Sequence, residues 1–185
     1  AHLKYGLQPD ISVFGKALGN GHPIAAVIGK SNFMEAAQSS FISSSYWTEG
    51  VGPTAALATL AKLKSVEAPS HLASISDRFR TGLGDLAKLQ GLTIRFYGHP
   101  AITVLSFEHP QASALQTLFT VRMLEEGILV GSGFYASLSH HEKHIDRFLE
   151  AADKVLPEVS QAAKTGDILK RIPNGVKHTG FSRLT

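Results

Sequence analysis

A chain of 185 residues with 43% hydrophobic side chains holds enough apolar material for one ordinary domain or two small ones, which sets disorder aside as the starting point. Eighteen Lys and Arg against fifteen Asp and Glu leave a net charge of +3, too balanced for a nucleic-acid-binding stripe. No cysteine occurs, which excludes disulfide and thiolate chemistry, and no apolar run approaches the roughly 18 residues that a membrane span needs.

These limits predict a cytoplasmic protein with neither a membrane nor a nucleic acid as partner. The opening "AHLKYGLQPD" carries no signal-peptide core and starts without methionine, so a partial chain is expected. Ile11 to Phe14, behind the turn pair Pro9 and Asp10, is apolar and partly β-branched and predicts a buried strand. Lys16 lies just past its end, at the entrance of the glycine turn "GKALGNG". A second apolar run, Ile24 to Ile28, predicts an adjacent strand, after which Ser31 is expected to cap a helix. Residues 39–52, "SSFISSSYWTEGVG", have loop chemistry with two bulky aromatics. Pro53 at a first helical position opens an Ala/Leu-rich helix to about Val66, with Leu57, Leu60 and Leu63 as its apolar face. Pro69 and Ser70 restart a second helix carrying Leu72, Ile75, Phe79, Leu83 and Leu86.

From Gly91 the composition turns β-rich. "LTIRFY" and "AITVLSF" predict two strands joined at Gly98, His99 and Pro100. A helix from Ala112 to Glu126 ends at Gly127, and "ILV" at 128–130 reads as a strand. Ser139 with Glu142 forms a capping-box pattern ahead of a helix whose face holds Ile145, Phe148, Leu149, Ala152, Val155 and Leu156. Together these make a small α/β unit over about 91–160, and the mixed tail after Ala163 is expected to wrap the surface.

Five chemistries compete for these residues. "GKALGNG" has neither the order of a phosphate loop nor that of a dinucleotide turn. "SHHEKH" spaces its histidines one residue short of a zinc-protease pair, so no metal is assigned. No serine lies in a nucleophile elbow. Tyr46 and Trp47 either stack on a planar ligand or anchor an ordinary loop. Lys16, leaving a buried strand, would have a desolvated amine with a lowered pKa, the form that attacks a carbonyl; the alternative is a solvated surface lysine.

The string "PDISVFGKALGNGHPIAAVIGK" resembles the segment around the cofactor lysine of class III pyridoxal-phosphate aminotransferases, the fold-type I group that includes glutamate-1-semialdehyde aminomutase. "SSSYWTEGVGPTAALATL" is similar to that family's threonine loop, with Gly52 where an asparagine is common, and "MLEEGILVGSGFYASLSHHEKHIDRFLEAADKVL" resembles its C-terminal small domain. The resemblance implies an α/β fold: the end of a large-domain sheet with connecting helices over 1–90, a small C-terminal α/β domain over 91–163, and a tail over 164–185. It implies pyridoxal 5′-phosphate as cofactor, with Lys16 forming the aldimine and acting as base and acid, and Thr48 holding the cofactor phosphate of the neighbouring subunit. Tyr46 and Trp47 would line the substrate side, and a homodimer with interface active sites would act on a small amino or keto substrate. The family's ring-binding aspartate, phosphate turn and stacking aromatic, supplied by its N-terminal half, have no counterpart among these residues. A catalytically incompetent partial chain, at most a fold or dimer-interface fragment, is therefore the alternative to an aminotransferase or aminomutase.

Overall fold

The computed structural model describes residues 2–178 and Gly180, and the chain divides between Ala68 and Pro69 into two compact units.

In the first unit, β1 (Ile11–Phe14) and β2 (Ala26–Gly29) form an antiparallel pair, with Ile11 opposite Gly29 and Phe14 opposite Ala26. Lys30 closes its open end, donating from Nζ to Asp10 Oδ1 at 2.7 Å and from its backbone N–H to the Asp10 carbonyl at 3.0 Å. The chain then turns directly into α1 (Ser31–Met34), so Lys30, not Ser31, is the capping position. The strands occur where the apolar runs predict them, but β1 is not buried: Val13 is 72% exposed and Ile11 and Phe14 are exposed too. Each strand pairs only with the other, so among the described residues neither outer edge is covered. The second helix, α2 (Val51–Ser65), begins two residues before Pro53, which tolerates the first turn because an N–H there lacks an intrahelical partner anyway. Its buried positions are Gly52 and Ala56, whereas Leu57 and Leu60, predicted as a core face, are exposed.

The second unit contains α3 (Ala68–Leu89), β3 (Ile94–Tyr97), β4 (Ile102–Phe107), α4 (Ala112–Glu125), β5 (Gly133–Tyr135) and α5 (Glu142–Thr165). The strands form an antiparallel sheet in the order β3-β4-β5. Gly98 makes the β3-β4 turn at φ 91°, where a Cβ would stand 2.4 Å from the Ile102 carbonyl oxygen. Alternation along β4 sends Thr103, Leu105 and Phe107 inward. Leu105 and Phe107 join Phe79 and Leu83 of α3, Leu115, Leu118 and Phe119 of α4, and the inner face of α5 in one core, while Thr103 Oγ1 accepts from Arg80 Nε at 2.6 Å. Phe79 stacks on Phe134 at 4.7 Å between ring centroids and packs against Phe148 at 5.0 Å. Thus α3 belongs to the core of this second unit, although the expected division put it with residues 1–90.

Three expectations change here. The run 128–130 is not a strand; Gln116 Nε2 holds the Gly131 carbonyl at 3.2 Å, and pairing with β4 begins only at Gly133. The N-cap of α5 is His141, not Ser139: its ring accepts the His144 N–H while His144 Nδ1 accepts the His141 N–H at 3.0 Å. After Gly166 ends α5 at φ 71°, a 3-10 turn (Ile168–Arg171) returns Ile168 and Ile172 to the core. That part of the tail is therefore core rather than surface wrapping, because two apolar side chains four residues apart reach the buried face; residues 179 and 181–185 lie outside the described residues.

Candidate active site

Strand β1 leads through Gly15 into a 3-10 turn (Lys16–Leu18), closed by Leu18 N–H on the Gly15 carbonyl at 3.1 Å and Gly19 N–H on the Lys16 carbonyl at 3.2 Å. Lys16 itself has φ 49°, a left-handed conformation that β-carbons disfavour. Gly19 is buried beneath the turn; a Cβ there would lie 2.1 Å from the His22 carbonyl oxygen and 2.7 Å from Ile24 Cγ2. The Lys16 side chain is exposed, and among the described residues its ammonium has no ion pair. The expected desolvation is thus absent, for the reason that leaves β1 exposed: no second layer covers this edge.

The loop before α2 places Tyr46 and Trp47 at 58% and 68% exposure, so neither is a buried anchor, and Thr48 is exposed beside them. Ser44 shapes this loop, its Oγ accepting the Tyr46 N–H at 3.2 Å and its carbonyl the Trp47 N–H at 3.3 Å. Glu49 was not singled out by sequence, yet it fixes the loop to the helix. Its carboxylate accepts the Val51 N–H and, at 2.8 Å, the Gly52 N–H, two of the donors that a helix start leaves unsatisfied. A side chain at Gly52 would come within 2.9 Å of the Pro23 carbonyl oxygen, so glycine lets α2 approach the segment that follows the lysine turn. The turn 16–18 in turn packs on α2. One helix end therefore supports both Lys16 and the Thr48 loop.

Between these parts lies a groove of about 520 Å³ with Pro23, Ile24 and Ala25 on one side and Tyr46, Trp47 and Glu49 on the other. Lys16 and Thr48 do not line it. Two arginines of the second unit have partners: Arg95 pairs with Glu108, and Arg122 holds Glu158 through Nε at 2.8 Å and Glu125 through Nη1 at 3.0 Å. The Glu158 bond raises the Arg122 pKa above its ordinary value and lowers that of Glu158, as expected of an ion pair. Among the described residues no group of three His, Asp or Glu is placed to hold a metal ion.

Residues 1–156 match the family model for aminotransferase class-III. A 3-aminobutyryl-CoA aminotransferase of Cloacimonas acidaminovorans is 26% identical over 87% of this chain and 40% of that protein. A glutamate-1-semialdehyde 2,1-aminomutase of Brevibacillus brevis is 30% identical over 80% of this chain and 38% of its own length. The solved structure of the FumI protein of Sphingopyxis sp. MTA144, in its PLP internal aldimine form, superposes with a TM-score of 0.79 at 24% identity, over 87% of this chain and 39% of that one, and shares its fold. The chain thus spans about two fifths of the length of the relatives it matches. With its strand, lysine turn, threonine loop and small α/β unit accounted for over most of its length, the chain belongs to the class III aminotransferase family.

Proposed function

We propose that these residues form the C-terminal part of a pyridoxal-phosphate-dependent aminotransferase or glutamate-1-semialdehyde-type aminomutase. The observation that carries this reading is Lys16: an exposed amine without an ion partner, on a backbone held at φ 49° between glycines. A non-glycine residue in that conformation costs on the order of 1–2 kcal/mol, and such outliers gather where placement of a side chain matters. The residues fit the cofactor's aldehyde at this one point, since the amine is accessible and Gly15 and Gly19 leave the turn without bulk. When bound, pyridoxal phosphate supplies an electron sink for the charge left by Cα deprotonation. Lys16 Nζ is the group that would hold the cofactor's aldehyde, and as a free amine it would serve as the base that takes the proton from the substrate Cα and as the acid that gives it back.

In this reading Thr48 Oγ1 donates to the cofactor phosphate held by the neighbouring subunit of a homodimer, and Tyr46 and Trp47 face the small amino or keto substrate. Residues 1–68 then belong to the large cofactor domain, and the unit from Pro69 onward, with α3 and Ile168 in its core, is the small domain. A cytoplasmic location, without membrane or nucleic acid, goes with it.

The exposure of Val13, Val27 and Ile28 favours a second reading, in which this chain alone is a catalytically incompetent fragment serving as fold or dimer interface. Incubation with pyridoxal phosphate, borohydride reduction and peptide mapping separates the two. Cofactor binding predicts one reduced adduct, on Lys16, lost in Lys16→Ala; a colourless, unlabelled chain supports the fragment.

A further inference from the structure

We propose that the second unit carries a separate ligand site, a cleft at Lys177 that takes a small hydroxy or amino acid. The cleft, of about 160 Å³, lies between β4 and the start of α4 and is lined among others by Ser106, Ser113, Gln116, Ser132 and Lys177. Lys177 is half-buried and pinned there by its backbone N–H, which donates to Thr117 Oγ1 at 3.1 Å. Among the described residues no carboxylate forms an ion pair with it. Burial lowers its pKa from the ordinary lysine value, with no neighbouring charge contributing. Gln116, only 6% exposed, spends its Nε2 on the Gly131 carbonyl and leaves Oε1 buried without a donor.

Among the described residues, one cleft thus holds an ammonium lacking a counter-ion and a carbonyl oxygen lacking a donor. Each is unfavourable by itself, and native interiors rarely leave such groups unmatched. A ligand with a carboxylate for Lys177 and a hydroxyl or ammonium for Gln116 Oε1 satisfies both. The hydroxyls of Ser106, Ser113 and Ser132 donate or accept as required. At roughly 30 Å³ per water, the space equals about five waters, which suits an acid of three or four carbons. The site lies wholly in the second unit and does not rest on the role proposed for Lys16.

Titration of the 15N-labelled 185-residue chain with L-lactate, L-alanine and propionate tests this through the amide shifts of Gln116, Thr117 and Lys177. Lactate and alanine are expected to give saturable shifts there, and propionate, lacking the donor, to bind about tenfold more weakly, the value of one hydrogen bond. Lys177→Met and the more conservative Lys177→Gln should each abolish the shifts. Gln116→Leu should reduce lactate to the level of propionate and leave propionate unchanged. Equal binding of lactate and propionate, shifts that survive loss of Lys177, or no saturation up to the solubility limit would overturn the proposal.

Discussion

The lysine turn and Glu49 both meet α2, and the smallest residues decide how closely they do so. Gly19 lies under the lysine turn with its missing Cβ 2.1 Å from the His22 carbonyl oxygen. Gly19→Ala should open the turn, destabilise the first unit by about 1–3 kcal/mol and remove the Lys16 adduct; denaturant unfolding and the borohydride map read the two effects. Glu49→Ala uncaps α2 and should cost that helix about 1 kcal/mol, seen as faster amide exchange at Val51 and Gly52, with Glu49→Gln retaining part of the protection. Lys16 was legible because a lysine entering a glycine turn is unusual chemistry in a short stretch. Glu49 was not, because helix starts are recognised by Ser, Thr, Asp or Asn at the cap, and here the cap position is Gly50 with the acid one residue outside.

Helix α5 shows how an element can be read correctly while its start is missed. Its apolar stripe predicts its length and inner face, and Ile145, Phe148, Val155 and Leu156 are buried as that stripe requires. The start rests on imidazoles, which capping patterns do not include. His140 Nδ1 accepts the Ser137 N–H at 3.1 Å and His144 Nδ1 the His141 N–H at 3.0 Å; His71 Nε2, from α3, bonds the His140 carbonyl at 2.9 Å. Protonation at Nδ1 removes such an acceptor. Burial, then neighbouring His144, His141 and His71, hold the His140 pKa below its ordinary value. The unfolded chain therefore takes up a proton near the usual value of about 6.5 while the fold does not. Stability of the second unit is full above that pH and should fall as pH drops below it, until the folded-state value is reached. Urea midpoints between neutral pH and pH 5 check this, and His140→Gln, which cannot titrate, should flatten the slope.

Across the whole molecule, the second unit folds around its own core, and the C-terminal segment completes that core. Ile168 is fully buried, so Ile168→Ala should cost about 2–4 kcal/mol, measured by thermal unfolding, although the sequence around it reads as surface. The turn-rich composition of 164–185 concealed two core side chains. Arg171 hides in the same way: it bonds Asp167 through Nε and Nη2 at 3.0 Å and faces Glu158, which Arg122 also holds. Local pattern thus gave most of the elements in both units, since periodicity and turn residues are local. It could not give burial in the first unit, where apolar strands with one partner each stay in water.

The chain has one tryptophan, Trp47, and it stands at 68% exposure in the first unit, whereas the aromatic cluster of the second unit is built from phenylalanines. Indole emission is thus a private signal of residues 1–68, while most of the helical circular dichroism arises from α3, α4 and α5. If the two units melt as one cooperative body the transitions coincide; if they are independent, emission and ellipticity part company along the same denaturant axis.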